Sequence, residues 1–215
     1  MKVFRELKIQ GSKVKIKDTL TKIENRLKDG WIRNRDQENK ISSDATNEMY
    51  CFSCTDTSSR KAASLWLAYR NDDTLYVSNI IPLNLRQLDV DQYNEIIREF
   101  YKKFVAPAAE SLTLKHVLTS DTKEIQDWVS TETVAKLQRF ARLANKNTGS
   151  THPSDQERWF NFLVAAHAES TTLGPQTLAK WLEETEGWPE EIAYDISIEY
   201  EFSQSLLKVY DEKRP

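Results

Sequence analysis

The pattern of apolar residues changes near residue 120, and this change constrains the fold more than any other feature of the sequence. Before it, short runs rich in apolar and aromatic residues at 49–54, 62–69 and 74–83 predict β-strands. After Ser120, apolar residues recur every three or four positions, which is typical of amphipathic helices. We therefore expect an α+β fold. A small, mainly antiparallel sheet with two helices would occupy residues 1–120, and residues 121–215 would form a helical part packed closely on it.

Local signals predict the remaining elements of the first part. Asp89 is followed three residues later by Gln92, a capping-box pattern that begins a helix, and Pro107 is expected to end that helix. The short polar turn 70–73 is expected to join its two flanking strands into an antiparallel hairpin. The other expected elements are a strand within 3–10, a helix within 14–30 and a closing strand at 116–118.

Helix start and stop signals divide the second part. Asp121 with Glu124 and Ser154 with Glu157 are further capping-box patterns, Gly174-Pro175 begins a helix, and the turn 187–189 separates that helix from the last one. The last helix is expected to present one apolar face, formed by Ile192, Ile196, Tyr200, Leu206, Leu207 and Tyr210.

The only two cysteines, Cys51 and Cys54, have the C-x-x-C spacing of zinc sites and thiol redox pairs. The three histidines are isolated in the sequence and do not complete a zinc site. Cys51 and Cys54 lie three residues apart on a predicted strand, so their side chains point to opposite faces of the sheet, which argues against a thiol redox pair. We therefore predict two ordinary buried thiols in a reducing compartment, with no metal and no cofactor.

Common catalytic and nucleotide-binding motifs are absent, including glycine-rich phosphate loops, H-E-x-x-H and G-x-S-x-G. No catalytic residue is assigned, which favours a binding protein over an enzyme. Apolar stretches are far shorter than the ~20 residues of a membrane span, and no secretory signal pattern is found. We expect a soluble, cytoplasmic protein that does not contact a membrane.

Charge is distributed unevenly along the chain. Residues 151–215 carry 5 basic and 13 acidic side chains, whereas residues 1–150 carry 25 basic and 20 acidic ones. Opposite charges on the two parts could attract outside partners, or they could neutralise each other at an internal interface.

Two segments could bind a protein partner. In the polar segment 31–46, predicted to be a long loop with a possible short strand at 31–33, aromatic and basic residues are interleaved: Trp31, Arg33, Arg35 and Lys40. Such a mixture could also contact nucleic acid, which we consider the less favoured partner. The acidic helices near the C-terminus supply Glu183, Glu184, Glu190 and Glu191, which could instead form a solvated face.

The polar loop 145–155 leads into a predicted helix N-terminus, where free backbone N–H groups favour an anion. The candidate ligands for a phosphate or carboxylate are Lys146, Ser150, Thr151, His152 and Arg158. The leading hypothesis is an interaction protein that binds an unidentified protein partner through the acidic helices or the 31–46 segment. The alternative is an enzyme or sensor for a phosphorylated or nucleic-acid ligand bound at 146–158.

Overall fold

The computed structural model describes residues 1–42 and 48–213, with side chains described for 1–40 and 48–213. It has the predicted α+β architecture, with a six-stranded antiparallel sheet in the N-terminal part and helices toward the C-terminus. The chain divides into two compact units, Lys2–Asp121 and Met1 together with Thr122–Pro215. The close packing of the two parts on each other stays a prediction.

The strands of the first unit form one sheet in the order β2-β3-β4-β5-β1-β6, and each neighbouring pair is antiparallel. The predicted hairpin is confirmed, because β4 and β5 pair directly and are joined by a turn at residues 72–73. The strands are β1 Leu7–Gln10, β2 Trp31–Arg33, β3 Met49–Cys54, β4 Ala63–Asn71, β5 Thr74–Pro82 and β6 Lys115–Leu118.

Helices pack on this sheet to form one apolar core. Alternate residues of the strands, such as Phe52 and Leu65, are fully buried against Ile97 and Phe100 of a long helical segment. The Asp89–Gln92 capping box is present at the start of that segment. The helices are α1 Lys13–Glu24, α2 Arg35–Ser42, α3 Val90–Phe100 and α4 Ala106–Glu110, with a π-helical turn at Tyr101–Val105.

Two predictions for this unit are wrong. Residues 35–42, expected to be a loop, form α2, where the buried carboxylate of Glu38 accepts a hydrogen bond from the Cys51 N–H of β3; the rest of that segment, 43–47, lies outside the described residues. Pro107 does not end its helix. The Ala106 N–H donates to Tyr101 O, five residues back, so Pro107 follows a turn whose hydrogen-bond register has already shifted, and the chain continues as α4.

Both cysteines are free, as predicted, and both are buried on β3. Burial raises the pKa of the Cys51 and Cys54 thiols, which disfavours the reactive thiolate.

The second unit is built from helices around a separate core of aromatic rings. Four rings form a row in which each contacts the next, with centroids of neighbouring rings 4.8–5.8 Å apart: Phe140, Trp159, Phe162 and Tyr200. A 3-10 turn at Ile125–Asp127 is followed by α5 Thr131–Leu143, α6 Pro153–Ala168, α7 Pro175–Glu184 and α8 Glu190–Glu212. Among the residues described, no helix has the length and apolar character needed to cross a bilayer.

Two expected capping boxes in this unit are also wrong. The box near residue 121 is shifted by three residues, to Glu124 and Asp127, because the chain begins its 3-10 turn there. At the start of α6 the cap is His152 instead of Ser154, since His152 Nδ1 accepts a hydrogen bond from the Ser154 N–H at 3.3 Å.

Candidate functional site

Helices α7 and α8 lie side by side, and the turn that joins them is held by two hydrogen bonds from other parts of the same unit. The indole N–H of the buried Trp188 donates to the carbonyl of Ala141 at 3.0 Å. The Lys146 ammonium donates to the carbonyl of Glu186 in the same turn. Gly187 adopts a φ of 68°, in the left-handed region that favours glycine. The two hydrogen bonds tie this turn to the end of α5 and to the loop that follows α5.

The inner faces of the two helices are apolar and buried. Tyr200 lies at the centre of this packing, and its hydroxyl donates to the carbonyl of Leu173 at 3.0 Å. Burial raises the pKa of Tyr200 to about 12, which further favours the protonated phenol that donates this hydrogen bond. The other buried apolar residues of the pair are Leu178, Trp181, Leu182, Ala193 and Ile196.

A groove of about 750 Å³ opens between the outer faces of α7 and α8. Its apolar part includes Ala179 of α7 with Tyr194 and Ile198 of α8. Tyr194 is 61% exposed, so a large aromatic ring faces solvent inside the groove. Concave sites that combine aromatic side chains with a few charged groups are typical of binding sites. We call this feature the α7–α8 groove.

Charged side chains also line the groove, and most of them are acidic. The described residues that line the groove include one ammonium group, that of Lys180, and four carboxylates, which are Glu183, Glu190, Glu191 and Glu201. Within the described part of the chain, none of these four carboxylates forms an ion pair. Among the described residues of the groove, carboxylates therefore outnumber ammonium groups, which gives this part of the surface a net negative charge beside exposed apolar side chains.

Other acidic residues of the same region already have partners. The Glu199 carboxylate accepts a hydrogen bond from the Ser150 hydroxyl at 2.8 Å, and the Glu186 carboxylate lies 3.5 Å from Arg142 Nε. The structure thus separates acidic side chains that hold the fold together from those that line the groove.

Three of the four acidic residues predicted to bind a partner line the groove together: Glu183, Glu190 and Glu191. The fourth, Glu184, is not part of the lining, and its carboxylate lies 3.7 Å from the Lys180 ammonium. That these residues bind a partner stays a prediction.

Sequence reasoning missed the aromatic and aliphatic part of this surface. The single apolar face expected for α8 is wrong in its second half, because Leu206 and Tyr210 are more than half exposed while Ile196 and Tyr200 are buried. The signal was present in the sequence as residues 194, 198, 202, 206 and 210, all large and apolar, at a constant spacing of four. This row follows one side of a helix, so it forms a second face distinct from the buried one.

The four residues predicted to form an aromatic and basic cluster, Trp31, Arg33, Arg35 and Lys40, are not all exposed. Trp31 is only 2% exposed and packs against Phe100, with ring centroids 5.0 Å apart. The Arg33 guanidinium donates to both Glu38 and Glu24 at 2.9 Å. The remaining two predicted residues of this cluster, Arg35 and Lys40, are exposed, and Arg35 pairs with the same Glu24 at 2.7 Å.

The five candidate anion ligands are only partly brought together. Thr151, His152 and Arg158 line one shallow cavity at the start of α6. The other two candidates are engaged elsewhere, because Lys146 donates to the Glu186 carbonyl and Ser150 donates to Glu199.

Charge in this shallow cavity is also partly neutralised. Asp155 lines the same cavity, and its carboxylate lies 2.5 Å from Arg158 Nη1. The cation best placed for an anion therefore already has an acidic partner. Anion binding at 146–158 stays a prediction.

Among the described residues, no group of three or more His, Cys, Asp or Glu side chains is arranged to hold a metal ion. Comparisons with protein-family models, with curated proteins and with solved structures found no match to this chain.

Proposed function

We propose that this chain is an interaction protein whose α7–α8 groove binds a basic, amphipathic helix of a protein partner. The observation that carries the proposal is the juxtaposition, in one groove, of the exposed Tyr194 and Ile198 with four carboxylates that form no ion pair with any described residue. Apolar side chains of a partner would cover these two residues, and its Lys or Arg side chains would meet the carboxylates.

A helix suits the shape of the site. Two neighbouring helices form an elongated groove, and a third amphipathic helix can place its apolar face along such a groove through residues spaced three and four apart. Exposed carboxylates at the rim accelerate and orient the approach of a basic partner, while the apolar contacts supply most of the affinity.

The acidic helices are better suited to this role than the 31–46 segment. Trp31 is buried, and the positive charge of Arg33 is neutralised by ion pairs with Glu24 and Glu38. We keep a reducing, cytoplasmic location as part of the proposal, because Cys51 and Cys54 are both free thiols.

Binding of a defined probe tests the proposal. The probe is a fluorescein-labelled peptide of Leu and Lys arranged as an amphipathic helix, titrated with the full-length protein by fluorescence anisotropy. A second peptide of the same composition, with its Leu and Lys order scrambled, reports on charge attraction alone. We expect the amphipathic peptide to bind more tightly than the scrambled one, and its affinity to fall as salt is added.

Variants locate the bound peptide. Glu190→Gln with Glu191→Gln should weaken binding several-fold, and Tyr194→Ala should weaken it further. The matched control, Glu110→Gln with Glu157→Gln, changes the net charge equally at exposed positions outside the groove and should leave the affinity unchanged. Equal affinities for the two peptides, or equal losses for the two double variants, would contradict the proposal.

A further inference from the structure

The outward face of α8 carries a row of large apolar side chains that continues beyond the groove. Tyr194, Ile198, Phe202, Leu206 and Tyr210 are each between 46% and 68% exposed, and Phe202 in the middle is the most exposed of them. Val209 lies beside the row and is also exposed. An exposed, contiguous apolar row of this length marks an interaction surface.

The row is symmetric about Phe202. Its members are spaced by four residues on both sides, so reversing the helix direction exchanges Ile198 with Leu206 and Tyr194 with Tyr210. An aliphatic residue is thus matched with an aliphatic one, and a tyrosine with a tyrosine. A surface of this kind is self-complementary under a twofold axis, which is the symmetry of most homodimers.

The charges at the two ends of α8 follow the same symmetry. Glu191 and Lys213 lie at equal distances along the chain from Phe202, and both are exposed. In an antiparallel pair of α8 helices, each Glu191 would therefore approach Lys213 of the other copy. A parallel pair would instead place like charges together at each end.

We propose that two copies of this chain associate through α8, antiparallel, with the twofold axis at Phe202. Because Glu191 and Lys213 each lie about 16 Å along the helix from Phe202, this pairing requires helix axes that cross at a shallow angle of about 20°. This inference goes beyond the proposed function, because it requires no other protein.

The size of the row indicates a weak dimer. Aromatic side chains carry roughly 150–250 Å² each, so the exposed parts of the row amount to several hundred Å² per copy, somewhat below the ~800 Å² of a standard interface. Association should therefore depend on protein concentration. Since Tyr194 and Ile198 also belong to the α7–α8 groove, the second copy and a groove-bound helix would compete for them.

Sedimentation velocity of the full-length protein over a broad concentration range tests this inference. We expect a reversible monomer–dimer equilibrium. Phe202→Glu should raise the dimer dissociation constant by about tenfold or more, because the twofold axis would bring two carboxylates together. The control is Phe160→Glu, which places the same charge at an exposed phenylalanine on α6 and should leave the equilibrium unchanged.

Two further variants test the orientation. Glu191→Lys should weaken the dimer, and combining it with Lys213→Glu should restore it. Phe202→Cys should form a disulfide between copies under mild oxidation, whereas Phe160→Cys should not. A monomer at every concentration, or a dimer that Phe202→Glu does not weaken, would overturn the inference. Neither result bears on peptide binding in the groove, so the two proposals fail separately.

Discussion

At the scale of single residues, Arg60 shows how the sheet-containing unit accommodates a buried charge. Its guanidinium is 1% exposed and lies over the Trp31 ring, 5.2 Å from the centroid. It donates to the Glu99 carboxylate and to the carbonyl of Asp29, both at 2.5 Å. Arg60 therefore connects helix α3, through Glu99, to the chain that enters β2, through Asp29.

Removing this guanidinium should be costly, because Glu99 would be left largely buried without its main partner. We expect Arg60→Ala to lower the free energy of unfolding by about 3–5 kcal/mol, measured by urea denaturation. Arg86→Ala removes an exposed guanidinium and should change the stability by less than about 0.5 kcal/mol. Similar small losses for both variants would refute a structural role for the buried pair.

The same pair predicts a contribution to acid sensitivity. Burial raises the pKa of Glu99, but hydrogen bonds from Arg60 and Lys103 outweigh it and hold the pKa below its ordinary value. The stabilisation is therefore fully present above the pKa of the unfolded chain, near 4.5, and is lost as the pH falls through the lower pKa of the folded state.

Glu99→Gln cannot gain a proton, so the unfolding free energy of this variant should fall less steeply than that of the wild type between about pH 5 and pH 3. Urea denaturation at a series of pH values measures this slope. Glu110→Gln, which removes an exposed carboxylate, serves as the control. If the Glu99→Gln and wild-type slopes were the same, Glu99 would not contribute to acid unfolding.

Single residues were predicted well where the local pattern decides their position. Cys51 and Cys54 lie on a strand with an apolar pattern, and both are buried as expected. Trp31 could not be assigned from its neighbours, because its burial depends on Phe100, distant in the sequence. The same limit applies to Ser150 and Lys146, whose hydrogen-bond partners are about 40–50 residues away.

At the scale of elements, hydrogen bonds to the end of α5 and to the following loop hold the turn between α7 and α8, the two helices of the proposed site. Trp188→Phe keeps most of the buried ring but removes the N–H that donates to Ala141, one of the last carbonyls of α5. We expect a loss of about 1–3 kcal/mol in unfolding free energy, measured by chemical denaturation. Phe160→Leu, at an exposed site, is the control; a loss no larger than that of the control would show that the hydrogen bond does not hold the turn.

The spacing of apolar residues predicted most strands and helices correctly, and the errors at α2 and α8 have physical causes. The Asp89–Gln92 capping box and the β4–β5 hairpin depend on residues close in sequence, and both are present. Helix α2 was missed because its polar sequence has few apolar positions, and its contact with β3 is made by the carboxylate of Glu38. The second apolar row of α8 was missed because one helix was assigned only one apolar face.

At the scale of the whole molecule, the change of pattern near Ser120 predicted the α+β class correctly. The uneven charge distribution was a weaker guide, because a sequence does not show which charges are paired. The structure pairs the basic residue Arg33 with Glu24 and Glu38, while Glu190 and Glu191 form no ion pair among the described residues. The proposed site is therefore identified by which side chains are buried and which charged groups form ion pairs, and composition reveals neither.

The central claim is that the α7–α8 groove is where a basic, amphipathic helix binds. Amide chemical shifts of the ¹⁵N-labelled protein, recorded while the unlabelled Leu/Lys helical peptide is added, test it most directly. The claim predicts that the largest changes fall on residues 175–184 and 190–201, and that Glu190→Gln with Glu191→Gln reduces them at equal peptide concentration. Changes centred on α2 or on the 146–158 loop, or no changes at all, would contradict it.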